Sequence, residues 1–249
     1  MISVTILTKN NEDTLDDTLK SIQDFDEIII LDTGSTDRTL DIAKKYPNVK
    51  VHAADFYNFG QLKNKAARLA SNDWILSLDS DEELSEKLAE EILKASHELD
   101  ANAVHAFTFH NYFNGKHIRW CGWYPDYHVR LYNKNETQFT TAYLHESVDA
   151  KKKKVKKFKH PIMHKSYRSI DDFLIKMQRY TTLFAKEYQG KKKSSFSTAL
   201  LHAGFSFFKS YFMKGGIFAG KEGFIISVYN ANTAFYKYLK LEEANKECS

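Results

Sequence analysis

Two carboxylates two residues apart are the strongest chemical signal in this sequence. Asp79 and Asp81 follow a strand predicted over residues 73–78, and in an extended chain residues i and i+2 point to the same side. Two like charges this close repel each other, and a hard divalent cation with oxygen ligands relieves the repulsion. A Ca²⁺ EF-hand loop is excluded, because its sixth position needs Gly and this chain has Leu84 there. The structural alternative is an acidic cap for a helix predicted over 84–99.

Polar clusters also follow two other predicted strands. The segment TKN (8–10) comes after residues 2–7, and DTGS (32–35) comes after residues 26–31. Ligands of open parallel sheets bind at the carboxyl ends of the strands, so we expect all these clusters at one edge. The DTGS segment lacks the Gly-Lys-Ser/Thr of a P-loop and the spaced glycines of a dinucleotide fold. By itself it fits an anion site at a helix start and an ordinary capped turn equally well.

The elements that must position these clusters alternate between strands and helices. Short apolar runs predict strands at 2–7, 26–31, 49–52, 73–78, 104–109 and 129–132. Helices are predicted at 12–23, from Asp37 to about Tyr46, at 63–70, at 84–99 and after residue 166. This alternation is typical of a parallel α/β sheet. We therefore expect an α/β domain over residues 1–165 and a helical C-terminal extension over residues 166–249.

Composition narrows the class of protein. Hydrophobic residues make up 43% of the 249 residues and charged residues 27%, close to an average soluble globular protein. Only two cysteines occur, Cys121 and Cys248, which excludes a disulfide scaffold and a cysteine-based zinc module. The chain opens without a secretory leader pattern and has no run of about 18 uncharged apolar residues, so a cytoplasmic protein is expected.

Charge is distributed very unevenly along the chain. Residues 1–100 carry a net charge of −10, whereas residues 151–215 carry +14. Seven lysines lie in the single run KKKKVKKFK (151–159). Such a run fits a solvated charged face, a nucleic-acid patch or an anionic surface. Because no RNA-binding or helix-turn-helix signature accompanies it, we favour an anionic membrane surface or a phosphorylated lipid-linked acceptor, and expect no nucleic-acid partner.

An aromatic-rich segment over residues 196–229 follows the basic one. Lys209, Lys214 and Lys221 interrupt its apolar residues, so it is too polar to span a membrane. It suits a pair of interfacial helices bent at Gly215-Gly216. Core packing against the α/β domain and a dimer interface are the alternatives. We favour interfacial contact, which predicts a peripheral protein at the inner face of the plasma membrane.

Several of these segments, taken together and in order, resemble the family-2 glycosyltransferases of the GT-A fold. The matching segments are SVTILTKNNEDTLDDTLKSI (3–22), IIILDTGSTDRTLDIA (28–43) and DWILSLDSDEEL (73–84). RLYNK (130–134), AYLHESV (142–148) and HKSYRSIDDFLIKMQRYTTLFA (164–185) resemble the lipopolysaccharide core β-glucosyltransferase branch. The resemblance implies a Rossmann-like, mostly parallel sheet with flanking helices. It also implies a UDP-sugar donor, commonly UDP-glucose, inversion at the anomeric carbon, and a lipopolysaccharide core or related cell-surface glycan as acceptor.

The resemblance assigns donor-binding roles position by position. Asp32 would hydrogen-bond the uridine, with Thr8 and Asn10 lining the base and ribose. Lys9 stands where many relatives carry an aromatic residue, so the chain departs from the family pattern there. Lys63, in QLKNKA, matches a basic position near the donor phosphates.

The resemblance also places the metal and the sugar. Asp79 would meet the ribose or the sugar, Asp81 would bind Mn²⁺ or Mg²⁺, and His164 matches a position that can complete the metal shell. The cation would neutralise charge that builds on the nucleoside diphosphate as the C1–O bond breaks. A hydrogen-bonded structural histidine is the alternative for His164.

Inversion by direct displacement needs a base for the acceptor hydroxyl. Glu146 is preferred, because the family often supplies its catalytic carboxylate after the donor site, and Asp126 is second. His145 could orient the base, contact the acceptor or be structural, and Arg130 is expected to anchor a loop or a phosphate. Two alternatives to a glycolipid-modifying enzyme remain: a glycosyltransferase for a protein or polysaccharide acceptor, and a non-catalytic lipid- or nucleic-acid-binding protein on the same scaffold.

Overall fold

A computed structural model describes residues 1–141 and 146–246, which form two compact units. Unit 1 comprises Met1–His110 and Asp126–His164. Unit 2 comprises Asn111–Pro125 and the described residues from Lys165 onward.

The secondary structure alternates as expected through the first half of the chain. The strands are β1 (Ile2–Thr8), β2 (Glu27–Asp32), β3 (Val49–Ala53), β4 (Trp74–Asp79), β5 (Glu82–Leu84), β6 (Ala103–Phe113), β7 (Lys116–His117), β8 (Tyr127–Asn133), β9 (Lys154–Lys157) and β10 (Ile162–Tyr167). The helices are α1 (Leu15–Ser21), α2 (Thr39–Ala43), α3 (Phe59–Leu69), α4 (Glu86–Ala95), α5 (Ile170–Tyr188), α6 (Phe196–Phe208) and α7 (Gly220–Lys246), with a π-helical turn at Lys209–Met213 and a 3-10 turn at Gly216–Ala219. The sheet has the order β3-β2-β1-β4-β8-β6-β10-β5, and β7 and β9 each pair with β6.

The centre of the sheet in unit 1 is parallel and buried. β1 pairs in parallel with β2 and β4, and β2 with β3, whereas β8 joins β4 in the antiparallel direction. Continuous apolar runs are what such a doubly covered strand requires, and Val4, Ile6, Ile30 and Leu76 are all fully buried. The predicted class, an α/β fold with a parallel-dominated sheet and a helical C-terminal region, is confirmed.

The middle of the lysine-rich run forms a strand of the sheet. Residues 154–157 form β9, which pairs in parallel with β6 and leaves all four of its side chains exposed. The next residue, Phe158, is buried and stacks on the Phe107 ring with centroids 5.0 Å apart. Lysines on an exposed strand discourage pairing with another chain, so these charges also protect the sheet.

The predicted helix over 84–99 begins later than expected, at Glu86. Ser85 caps it, accepting a hydrogen bond from the Leu88 N–H at 3.3 Å. The residues before the cap are extended and form β5, which pairs antiparallel with β10. Both strands were missed because they are short, and because an acidic run before a helix looks like its first turn.

Unit 2 is mainly helical. A capping box between Ser169 and Asp172 starts α5, and Ser195 caps α6. The helical structure is interrupted between the π-helical turn and the 3-10 turn, where Gly215 has φ 66°. A Cβ on Gly215 would lie 2.5 Å from the Trp120 ring, so both the positive φ and the close contact require glycine. The predicted bend at Gly215-Gly216 is confirmed. Within the described residues, no helix is both long and apolar enough to cross a membrane.

A buried carboxylate ties together the strand ends opposite the acidic clusters. Glu27 accepts hydrogen bonds from the Ser3 hydroxyl at 2.6 Å and from the Ser71 N–H and hydroxyl at 2.7 and 2.8 Å, and pairs with the Lys50 ammonium at 2.7 Å. Burial alone would raise the pKa of Glu27, but these donors outweigh it and lower the pKa to about 2. Because the folded pKa lies below the ordinary one, Glu27 stabilises the fold above about pH 4.5 and loses this effect as the pH falls.

Glu27→Gln is therefore expected to cost about 3 kcal/mol of unfolding free energy at neutral pH, and less as the pH falls towards 2. Urea unfolding at a series of pH values measures the difference. The matched control is Glu90→Gln, which removes an exposed carboxylate from an i,i+4 pair with Lys94 and is expected to cost under about 0.5 kcal/mol. A pH-independent difference between Glu27→Gln and the wild type would contradict this assignment.

Candidate active site

The polar clusters meet at one edge of the sheet, as the strand order requires. Thr8 at the end of β1 is in register with Asp32 at the end of β2. On the other side of β1, Leu7 is in register with Asp79 at the end of β4. The three strands therefore present Thr8, Asp32 and Asp79 at the same edge, and the predicted convergence is confirmed.

The residues assigned to the nucleoside form one connected loop system. The Asp32 carboxylate accepts hydrogen bonds from the Gly34 and Ser35 N–H groups, both at 3.0 Å, and from the Ser35 hydroxyl. The Ser35 hydroxyl oxygen in turn accepts the Asn10 N–H at 2.9 Å, and the Asn10 side chain accepts the Thr36 N–H at 2.8 Å. Asn10 has φ 53°, a left-handed conformation that Asn tolerates well. Asp32 is thus buried and orders the turn on which Asn10 rests.

Asp79 is the centre of a second, charged network. Its carboxylate oxygens lie 2.9 Å from the Lys63 ammonium and 3.0 Å from the Arg130 guanidinium. The same guanidinium reaches a carboxylate oxygen of Glu82 at 2.5 Å, and the other oxygen of Glu82 accepts the Asp79 N–H at 2.9 Å. Asp79 therefore joins residues from α3, β5 and β8. Arg130, predicted to anchor a loop or a phosphate, instead pairs with these two carboxylates in the structure.

Burial and charge act in opposite directions on the two carboxylates. Burial alone would raise the pKa of Asp79, but the positive charges of Lys63 and Arg130 outweigh it and hold the pKa far below its usual range. Glu82 is fully buried, and burial raises its pKa to about 7 despite the opposing charge of Arg130. Burial disfavours the charge of Arg130, but Glu82 and Asp79 more than offset that and raise its pKa. Asp79 is therefore ionised, while Glu82 can take up a proton near neutral pH.

Glu146 lies at the same network. Its carboxylate oxygen is 3.9 Å from the Lys63 ammonium, so Lys63 lies between Asp79 and Glu146. Lys63 is only 4% exposed, and its ammonium also lies 5.1 Å from the Phe139 ring centroid. The predicted base and the predicted sugar-contacting aspartate therefore share one buried cation.

A hairpin-like segment carries Glu146 to this position. Phe139 and Val148 form an antiparallel bridge, the Thr140 N–H donates to the Ser147 carbonyl at 2.8 Å, and the Ser147 N–H donates to the Thr140 hydroxyl at 3.2 Å. The four residues before Glu146, including the predicted His145, lie outside the described residues.

The first turns of α3 hold that segment in place. The Asn64 side chain donates to the Phe139 carbonyl at 2.9 Å and accepts the Phe139 N–H at 2.8 Å. A Cβ on Gly60 would lie 1.9 Å from the Thr140 carbonyl oxygen, so only glycine permits this approach. Because Lys63 is on the same helix, α3 fixes the distance between the cation and Glu146.

Asp81, two residues after Asp79, lies beside His164. The His164 Nε2 lies 3.4 Å from an Asp81 carboxylate oxygen, and about a quarter of each side chain is exposed. His164 is in register with Glu82 across β10 and β5, and its ring meets the Phe109 ring edge-on. In the described part of the chain no group of three or more His, Cys, Asp or Glu could hold a metal. One carboxylate and one imidazole nevertheless fit a cation whose other ligands are substrate phosphates and water.

Asp126, the second candidate base, lies beside a different partner. Its carboxylate is 2.8 Å from the His128 Nε2, and its carbonyl accepts the Phe109 N–H at 2.8 Å.

Three residues of the site, Glu82, Asn64 and Gly60, were not predicted from the sequence. A third acidic residue directly after Asp79 and Asp81 was a usable signal for Glu82. For Gly60 and Asn64 the only signal in the sequence is that they lie three residues before and one residue after Lys63 on the same helix.

One family model matches more than half of the chain. The model described as Glycosyl transferase family 2 matches residues 3–174. A Rickettsia conorii protein named an uncharacterized glycosyltransferase is 32% identical over 262 residues, covering 98% of this chain and 90% of that protein. A Rickettsia bellii protein of the same description is 30% identical over 266 residues, covering 100% and 88%. Among solved structures, S. aureus TarS (residues 1–349) is 18% identical, covering 100% of this chain and 92% of that one with a TM-score of 0.46.

The Arg130–Glu82 pair predicts strong coupling in a double-mutant cycle. In the wild type, Glu82→Gln removes a buried partner of Arg130 and is expected to destabilise the protein. Arg130→Met leaves the Glu82 carboxylate buried without its cation and is expected to cost about 3–5 kcal/mol. On that background Glu82→Gln is expected to change stability by less than about 1 kcal/mol, because Glu82 without its cation takes up a proton and a neutral amide then replaces a neutral carboxyl.

Urea unfolding of the four proteins measures this cycle. The two single substitutions should couple by more than about 1 kcal/mol. Effects that simply add would show that the guanidinium and the Glu82 carboxylate do not depend on each other.

Proposed function

The chain belongs to glycosyl transferase family 2, and from that premise we propose that it transfers a hexose, specifically glucose from UDP-glucose, with inversion of configuration to lipopolysaccharide core or a related cell-surface glycan. It is a glycosyltransferase of the GT-A fold. The observation that carries the proposal is the charged network at one edge of the sheet, in which Lys63 joins Asp79 to Glu146.

The nucleoside end of the donor would lie on the turn built around Asp32. Thr8 and Asn10 flank this turn, and the Ser35 hydroxyl connects Asn10 to Asp32. The Asp32 carboxylate orders this turn through the Gly34 and Ser35 N–H groups, and we assign the uracil N–H to the same carboxylate. Lys63 near the donor phosphates and Asp79 near the ribose or sugar complete the proposed donor site.

The charge balance of the site supports a metal requirement. Two buried cations, Lys63 and Arg130, lie beside the carboxylates of Asp79, Glu82 and Glu146. Asp81, two residues after Asp79, adds a further carboxylate. A nucleoside diphosphate would add further negative charge to a site without a surplus of positive charge. Asp81 and His164 would hold Mn²⁺ or Mg²⁺, which supplies the missing positive charge and stabilises the diphosphate as a leaving group.

Glu146 is the proposed base. Its carboxylate would accept the proton of the acceptor hydroxyl while that oxygen attacks C1 of the sugar from the face opposite the diphosphate. The C1–O bond to the diphosphate breaks in the same step, so the anomeric configuration inverts. Lys63 holds Glu146 near Asp79, which favours Glu146 over Asp126, whose carboxylate pairs with His128.

The acceptor assignment rests on the three segments that resemble the lipopolysaccharide core branch. Residues 1–165 would form the catalytic domain and residues 166–249 a membrane-proximal helical extension. A lipid-linked acceptor would bring the enzyme to an anionic membrane surface, which we place at the cytoplasmic face.

Metal-dependent donor binding is the first test of this proposal. Calorimetric titration with UDP should show binding in Mn²⁺ that weakens at least about tenfold in chelator, and Asp81→Asn should abolish that difference. Asp41→Asn, on an exposed surface of α2, is the matched control and should bind like the wild type. Absence of UDP binding under both conditions would contradict the uridine assignment.

The base is tested by transfer. Glu146→Gln should lower the rate of glucose transfer from UDP-glucose to truncated lipopolysaccharide core by about 10²–10⁴-fold, with UDP affinity nearly unchanged. Glu136→Gln removes an exposed carboxylate shortly before the same hairpin and should leave the rate unchanged. A large loss in Asp126→Asn with activity retained in Glu146→Gln would assign the base to Asp126 instead.

A further inference from the structure

The outer face of α6 in unit 2 is apolar where solvent should favour polar residues. Leu201, Phe205, Phe208 and Phe212 recur at spacings of four, three and four, and each is more than half exposed. Exposed apolar patches that are contiguous mark interaction sites rather than ordinary surface.

The opposite face of α6 carries small residues. Ala199 is buried there, and the Ser206 hydroxyl donates to the Asn230 carbonyl of α7. Ser210, in the π-helical turn that follows α6, is also buried, and its hydroxyl accepts a hydrogen bond from the Asn230 side chain. The helix packs on α7 through these residues and through Phe207, whose ring meets the Phe224 ring edge-on, and it leaves Leu201, Phe205 and Phe208 exposed. Packing within unit 2 explains the inner face and leaves the outer face to be covered by something else.

The broken turn after α6 extends this surface. Met213 and Phe218 are also more than half exposed, and the Phe218 ring lies 5.3 Å from the partly exposed Trp120 ring. Gly215 permits the close packing of this turn on Trp120. Tryptophan and phenylalanine at such a turn are typical of segments that enter the interface between lipid headgroups and acyl chains.

Charge identifies the kind of partner. Residues 188–221 contain six lysines and no Asp or Glu, and Lys209, Lys214 and Lys221 are exposed within the apolar surface. The first carboxylate after this stretch, Glu222, is buried and paired with the Lys116 ammonium at 3.0 Å. A second copy of the chain would bring an equally basic surface, and the like charges would repel. An anionic bilayer offers both an apolar interior and negative headgroups.

We propose that the outer face of α6 and the turn through Phe218, together the insertion surface, enter the headgroup region of an anionic bilayer. This inference rests on the proposed function, which places the acceptor glycan at a membrane. It adds which part of the protein contacts that membrane. Since no described helix can span a bilayer, α6 would lie in the plane of the interface with its lysines among the headgroups.

Sedimentation with lipid vesicles tests the proposal on the full chain. The wild type should bind phosphatidylcholine vesicles containing phosphatidylglycerol and bind pure phosphatidylcholine vesicles much more weakly. Phe205→Ser with Phe212→Ser should lower the partition coefficient at least about tenfold. Replacing Lys209, Lys214 and Lys221 with Ser should lower it about a hundredfold. Ile175→Ser, at an equally exposed apolar position on α5, is the matched control and should change it less than about twofold.

Tryptophan fluorescence locates the contact. Anionic vesicles should shift the emission to shorter wavelength and brominated lipids should quench it, and Trp120→Phe should remove both effects. Equal partitioning of the wild type and of Phe205→Ser with Phe212→Ser into anionic vesicles would overturn the proposal. So would a failure of the wild type to bind vesicles combined with a concentration-dependent dimer that Phe205→Ser with Phe212→Ser abolishes.

The outcome is separable from that of the proposed function. UDP titration of the insertion-surface variants should match the wild type, because the substitutions lie in unit 2. Vesicle binding that depends on this surface in a protein that does not bind UDP would sustain the insertion surface and contradict only the donor assignment.

Discussion

An ionised carboxylate at the end of a buried strand is the constraint on which the rest of this site depends. Asp79 can remain charged at the edge of an apolar sheet only because Lys63 and Arg130 contact both of its oxygens. Each cation arrives on a different element, Lys63 on α3 and Arg130 on β8. The electrostatic requirement of one residue therefore fixes the positions of two neighbouring elements.

The same requirement explains residues that have no direct chemical role. Arg130 brings Glu82 into the buried network, and Glu82 orders the backbone after Asp79 by accepting its N–H. Lys63 brings α3 close to the segment that carries Glu146, and Gly60 and Asn64 are the residues that permit and secure that approach. The proposed base, Glu146, is thus positioned by α3, and the position of α3 follows from the contact between Lys63 and Asp79.

Much of this arrangement was predictable from the sequence, and what was not has identifiable causes. The buried parallel strands have short, nearly continuous apolar runs, so β1, β2 and β4 and the edge at which Thr8, Asp32 and Asp79 meet follow from pattern alone. β5 and β10 do not, since three to six residues of mixed polarity carry no clear period. The lysine run was not recognised as a strand, because all four side chains of β9 are exposed and the run has no apolar alternation. Close approaches such as Gly60 to Thr140 join residues 80 positions apart, which no local pattern encodes.

The central claim is that this edge of the sheet holds a nucleoside diphosphate and its metal. A crystal structure of the protein with UDP and Mn²⁺ tests it most directly, with the metal identified by its anomalous scattering. The account predicts Mn²⁺ bound to the Asp81 carboxylate and to the diphosphate, the uracil against Asp32, and the Glu146 carboxylate on the open side of the site. UDP bound away from Asp32 and Asp79, or Mn²⁺ bound without Asp81, would contradict it.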